Sequence, residues 1–289
     1  MAESTSDAVT GSDTFDQHVR AAPPEWLFHY TGQKGLLNIV KTGELWATKA
    51  QYMNDATEFR LALSIAEERI DEAVKKAEGR EREHLRALRS ATGIKNINLF
   101  VACFCEDRDL LSQWRGYSGE SHGYSLGMHV PALREWARKS DLMLAKCIYD
   151  KRWQEKIVDQ LIARALREPH NGIDLFRTAL VRVGAFFKSE SFRDEREWRI
   201  ASGITSIMHS MVGFKEGRSM VVPYLRVRIG EGRESAIGRA VIGPCPHSEL
   251  AAEALIMLFM QHGISRQDLS SRDHYLHSVE SSTIPYRNW

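Results

Sequence analysis

The sequence predicts an α+β protein built on a mixed, split β-sheet with helical insertions. Three observations predict it. Short apolar segments of strand character recur along the chain, at 27–31, 45–52, 98–105, 124–130, 142–149, 198–201, 221–229 and 240–242. Amphipathic stretches lie between them, with apolar residues returning every three or four positions. The first two strands are joined by a helix of only about two turns, so strand and helix alternate from the start.

Taken in order, Ser, Thr and Asp dominate the first 22 residues and Pro23-Pro24 marks the entry to the fold. Residues 1–22 are therefore expected to be a flexible tail, and 23–289 a single domain. Leu27 to Thr31 form the first strand. Leu36, Leu37, Ile39 and Val40 give the helix from Gly35 to Thr42 its apolar face, and Gly43 stops it. Asp55-Ala-Thr-Glu58 fits a capping box, and Phe59, Leu63, Ala66, Ile70, Ala73 and Ala77 follow as one helical stripe. Gly79 divides this charged helical insertion, around 56–93, into two helices. Asn98 to Cys105 reads as a buried strand and Tyr124 to Val130 as another, with Pro131 opening a short helix. Two amphipathic helices are expected at 153–168 and 174–188, the second with Leu175, Ala179, Val183 and Phe186 or Phe187 inward. Thr205 to Gly217 reads as a loop. Val221 to Ile229 alternates with Leu225, Val227 and Ile229 inward, and His247 to His262 is the last helix.

Composition bounds the function. The 289 residues are 43% hydrophobic with seven Trp, enough for a sizeable core. Lys plus Arg is 39 and Asp plus Glu 38, a net charge of +1, so no global field favours nucleic acid or an anionic membrane. No apolar run approaches the roughly 20 residues of a membrane span, and no signal-peptide core is visible. A cytoplasmic protein without membrane contact is expected. Cys103, Cys105, Cys147 and Cys245 lack zinc-ribbon spacing and read as reduced core thiols, with Cys103 and Cys105 on one face of a strand. Gly-x-Ser-x-Gly, His-Glu-x-x-His, Gly-x-Gly-x-x-Gly and the phosphate-loop pattern are absent, and the 11 His show no metal spacing, so no metal is expected.

Four constellations can carry chemistry. His29-Tyr30-Thr31 places an imidazole and hydroxyls at a strand end, suited to ribose hydroxyls or to capping the strand. Trp46 and Tyr52, six apart, share a face in a regular strand and suit a flat ring such as nicotinamide, or the core. Asn54, Asp55 and Glu58 could be metal ligands, but the capping box accounts for Asp55 and Glu58. Ser112 to Tyr117 (SQWRGY) offers Arg115 to clamp a phosphate and Tyr117 beside it, or a helical turn anchored by Trp114. Finally, in DEREWRI, Glu197 stands directly before a strand, half shielded, where a carboxylate can stabilise positive charge on a sugar carbon. Glu195 shares its face if the strand extends back, and two neighbouring carboxylates would raise one pKa. Alternatively Glu197 pairs with Arg199 or Lys188 on the surface.

The blocks LFHYTGQKGLLNIVKTGELWAT, YMNDATEF, FVACFCEDRDLLSQWRGYS, FKSESFRDEREWRI, VIGP and IPYR resemble a bacterial family catalogued as a domain of unknown function, number 2971. More distantly, the chain is similar to ADP-ribosyltransferases of the His-aromatic-Glu kind, with Trp46 where a Tyr is common. That resemblance implies an ADP-ribosyltransferase-like fold, His29 on the adenosine ribose, Trp46 and Tyr52 on nicotinamide, and Glu197 as the catalytic carboxylate at the ribose 2′-hydroxyl of NAD. Catalytic roles thus fall to Glu197 and His29, and cofactor binding to His29, Tyr30, Thr31, Trp46, Tyr52, Arg115 and Tyr117. It implies an NAD-dependent ADP-ribosyltransferase, or NAD-cleaving relative, with a protein or nucleic-acid acceptor. The alternative is a non-catalytic module binding a nucleotide or an RNA end. Either suits an effector of a toxin or phage-defence system.

Overall fold

The computed structural model describes residues 12–264 and 279–285, apart from 54–56, 94–96, 118–121, 169 and 218. Ten strands form one mixed sheet: β1 (Trp26–Gly32), β2 (Glu44–Lys49), β3 (Phe100–Cys105), β4 (Gly123–His129), β5 (Met143–Lys146), β6 (Glu197–Ala201), β7 (Val212–Glu216), β8 (Val221–Arg228), β9 (Ile237–Ile242) and β10 (Val279–Ser281). The main path runs β10-β9-β4-β1-β3-β2-β8-β7, and β6 and β5 branch from β3. Of the pairings, β10 with β9 is parallel and the ladders at β3 are antiparallel.

The helices are α1 (Asp13–Arg20), α2 (Gln33–Thr42), α3 (Thr57–Lys76), α4 (Gly79–Ala91), α5 (Leu111–Tyr117), α6 (Val130–Lys139), α7 (Lys151–Arg167), α8 (Gly172–Gly184) and α9 (Ser248–Gln261). They cover the sheet unequally. On one face α2, α6 and α9 bury Leu36, Ile39, Val40, Leu133 and Phe259 against Leu27, Ala102, Phe104 and Val227. On the other, α1, α3, α4, α7 and α8 cover β3, β6 and β5 through Ile70, Leu85, Ile157, Phe176 and Leu180. A smaller cluster of Phe28, Tyr30, Cys105, Trp114 and Val241 continues that face over β1 and β9. Each fully buried aliphatic side chain contributes about 1.5–3 kcal/mol, so these clusters hold the sheet in place.

Local signals explain most boundaries. Gly43 ends α2 at φ 61°, its N–H reaching Ile39 O at 2.9 Å. A Cβ there would lie 2.7 Å from Gly230 O, so only glycine suits the position. Asp150 caps α7 by accepting from the Arg152 and Trp153 amides, and Pro131 sits in the first turn of α6.

Several expectations are corrected. The tail does not extend to residue 22, because Ser12 caps α1 and Phe15 is fully buried 5.7 Å from the Phe186 ring; the single apolar pair Phe15 and Val19 was too brief a signal. The loop at 205–217 contains β7, whose Gly, Lys and Glu hide its strand character, and β10 was also missed. The strand at 45–52 ends at Lys49, and Tyr52 closes a 3-10 turn over Ala50–Tyr52. Residues 111–117 are helical with Trp114 buried, as the helical-turn alternative expects. The inward stripe of α8 is Phe176, Leu180 and Val183, with Leu175 exposed. Ala62 and Ile65 join Ala66 and Ile70 inside α3. The capping box and Pro285-Tyr286-Arg287 include residues outside those described. All four cysteines are free, and no helix among the described residues is long and apolar enough to cross a membrane.

Asp109 ties the C-terminal segment to the sheet. It accepts from Trp114 Nε1 (2.7 Å), Ser282 Oγ (2.6 Å) and the Thr283 amide (2.9 Å). Asp109→Ala should release residues 282–285 while leaving the sheet folded. Hydrogen exchange would then show the Thr283 amide losing protection, with the β1 and β3 amides unchanged.

Candidate active site at the fork of the sheet

β3 has three strand neighbours. On one edge it pairs with β6 over Val101 to Cys105. The opposite edge is shared: β1 meets it at Phe28↔Cys105 and β2 at Thr48↔Val101 and Lys49↔Phe100. Between these contacts β1 and β2 splay apart at Cys103. A strand carbonyl without a ladder partner must find another donor, and His29 supplies it: its Nδ1 lies 2.9 Å from Cys103 O. Nδ1 must carry the proton, because a carbonyl only accepts. Burial pulls the His29 pKa down, overriding the Cys103 carbonyl, and the nearby Lys215 charge lowers it further. The ring is thus neutral at pH 7, with Nε2 as an acceptor.

Glu197 opens β6 beside this fork. Cross-strand partners share a face, so Cys105↔Glu197 and Cys103↔Arg199 set Glu197, Arg199 and both thiols together. The carboxylate is 5% exposed, not half shielded. Arg199 Nε donates to Oε1 at 2.7 Å and Lys188 Nζ to Oε2, while Tyr149 OH accepts from the Glu197 amide at 2.9 Å. Burial opposes its charge, but Arg199 and Lys188 hold its pKa down at about 2. Burial and the adjacent carboxylate push the Cys103 thiol well up. Glu195 ends the 3-10 helix Glu190–Glu195, and Arg196 turns through φ 43°, so the strand does not extend back. Glu195 nevertheless reaches Lys188 Nζ at 2.6 Å. The ammonium stands between the two carboxylates, so neighbouring Glu195 does not raise Glu197. Tyr117, 41% exposed, feels the charges of Glu197, Lys188 and Glu195 and lies at the rim of the cluster.

On the far side of the fork, Trp46 stacks on Tyr224 with centroids 4.3 Å apart and planes 17° from parallel. Tyr224 pairs with Thr48 and Trp46 with Arg226. Since Thr48 pairs with Val101, this aromatic platform faces the same way as Cys103 and Glu197. Two strand spacings separate them, roughly 10 Å laterally.

The expected residues are thus partly assembled. His29 occupies the fork, although the register through Phe28 starts it on the opposite side of the sheet from Glu197. His29 and Glu197 share one neighbour, Cys103, through its carbonyl and its thiol. Tyr30 is not in the site: it is buried, donates to Asp107 O at 2.8 Å and accepts from the Leu110 amide, bracing α5. Thr31 leans over Gly35 at the start of α2. Tyr52 is exposed in the 3-10 turn after Lys49, and the ring stacked on Trp46 is instead that of Tyr224 on β8. Arg115 is exposed on α5, while Trp114 is anchored against Tyr30 at 4.7 Å. Lys215 was missed because β7 was read as loop. The alternating outward positions of β8 were the signal that could have found Tyr224.

The fold and site define a mixed α/β protein with polar and aromatic side chains gathered at a divided sheet. Residues 113–200 match the model of a family described as "Protein of unknown function (DUF2971)". The match runs from α5 to β6 and contains Tyr117, Lys188, Glu195, Glu197 and Arg199, which supports the resemblance to that family. No curated protein and no solved structure matches the chain.

Glu197→Gln removes the buried charge that faces Arg199 and leaves Lys188 to Glu195, so it should cost about 3–5 kcal/mol in urea denaturation. Its folded pKa lies below the ordinary 4.5, so its contribution is complete above pH 4.5 and is lost as pH falls toward 2. Acid unfolding followed by circular dichroism should show a steeper loss of stability in that window for wild type than for Glu197→Gln.

Proposed function

We propose that the fork binds a nucleotide and that the protein cleaves NAD, passing ADP-ribose to a protein or nucleic-acid acceptor or to water. The observation that carries this reading is the common face of Trp46, Tyr224, Cys103 and Glu197, with His29 at the split between them. A stacked aromatic pair suits a flat ring. A neutral imidazole with Nε2 as acceptor suits a ribose hydroxyl. A carboxylate kept ionised suits the oxocarbenium-like sugar that forms as the bond breaks. In that step the C1′–N bond to nicotinamide breaks and its electron pair leaves with nicotinamide. An acceptor oxygen or nitrogen then bonds to C1′ and gives up a proton. Under this reading the sheet is of the ADP-ribosyltransferase kind.

A second reading is binding of a nucleotide or RNA end without chemistry. The burial of Glu197 between Lys188 and Arg199 favours it, since such a carboxylate can act purely as an ionic lock.

Nicotinamide release from NAD by the purified protein, with and without cell lysate, separates the two. If NAD is cleaved, Trp46→Ala should raise KM, and Glu197→Gln, assayed at a temperature where it remains folded, should lower kcat by two or more orders of magnitude. Binding of NAD without release in folded wild type, lysate included, would leave the binding module.

A further inference from the structure

We propose that the fork carries a phosphate subsite in which Lys215, set by its bond to Thr48, receives a phosphate or pyrophosphate group of the ligand. The inference rests on the nucleotide reading and adds to it an electrostatic anchor. Lys215 is half buried on β7, opposite Val222, and Val222 stands two residues from Tyr224, so the lysine shares the platform's face. Its Nζ donates to Thr48 Oγ1 at 3.0 Å. Thr48 sits where β2 meets β3, at the base of the fork. Among the described residues no carboxylate pairs with Lys215, whereas Lys188 and Arg199 across the fork are both bound to Glu197. An ammonium has three donors, and the structure gives it one acceptor, a neutral hydroxyl.

The surroundings fit this role. Burial lowers the Lys215 pKa, and an anion beside the ammonium would offset that cost. Its charge reaches His29, so it stands close to the imidazole assigned to the ribose. Gly213, opposite Tyr224, lets the phenol ring lie across β7: a Cβ there would be 2.8 Å from the ring. That position fixes Tyr224 flat beneath Trp46, next to Lys215. Base or nicotinamide ring, ribose and phosphate would thus find aromatic, imidazole and ammonium partners around the fork.

The test compares wild type with Lys215→Met, which keeps the aliphatic stem and removes the charge. Three probes are titrated: inorganic pyrophosphate, NAD, and nicotinamide riboside, which has no phosphate. A thermal melt of each protein confirms folding. We expect Lys215→Met to weaken pyrophosphate and NAD by roughly 10- to 100-fold, the range for a hydrogen bond to a charged group, and to leave nicotinamide riboside unchanged. Pyrophosphate binding that depends on Lys215, with no NAD binding, would uphold the subsite for a free anion and sink the NAD reading. NAD binding that ignores Lys215→Met would overturn the subsite and spare the NAD reading. Wild type that binds neither pyrophosphate nor NAD would also overturn it.

Discussion

A β-strand has two hydrogen-bonding edges, and β3 serves three neighbours. The edge opposite β6 must therefore be divided, with β1 taking Cys105 and β2 taking Val101 and Phe100. The arrangement of side chains at the fork depends on that division. It opens a gap at Cys103, strands a carbonyl that only a side chain can satisfy, and so fixes the orientation of His29. The β1 wing is covered by α5 and the C-terminal segment, while the β2 wing keeps the Trp46 and Tyr224 platform half open.

The second constraint is electrostatic. Burying a carboxylate is costly unless it is paired, and Glu197 is paired twice over. Lys188 and Arg199 come from either side of the same short segment, and Arg199 Nη1 also donates to Ala185 O at 2.8 Å at the end of α8. The cluster therefore joins the sheet to the helical layer above it while keeping a negative charge beside the fork. A single residue thus carries a stability role and, under the proposed function, a chemical one.

The fold was legible where periodicity is strong and the elements are long. β1, α2, β8, α7 and α9 lie within a few residues of their expected places because apolar alternation, Gly43 and the Asp150 cap act locally. What was illegible depends on pairing. Nothing in the order Val-Gly-Phe-Lys-Glu distinguishes a strand from a loop until β8 lies beside it. Tyr52 seemed the mate of Trp46 because six residues of regular strand would align them, but the chain turns after Lys49 and the real mate comes from 178 positions later, Tyr224 against Trp46. The side-chain types at the fork, a His, aromatics and a carboxylate, could be named from the sequence, but their geometry could not. Burial of Glu197 and the side of the sheet on which His29 begins are set by register, which a sequence states only after its strands are paired.

The position of β7 at the end of the sheet has a consequence for the behaviour of the protein at high concentration. A terminal strand leaves a row of backbone donors and acceptors open to any chain that can add to it. Here that row carries Phe214, 68% exposed, so the edge is adhesive. Lys215 and Glu216 follow immediately, and charges on an edge strand discourage self-association. The same hairpin that carries Tyr224 and Lys215 therefore guards the molecule against growing into a longer sheet, and the two duties constrain the same few residues.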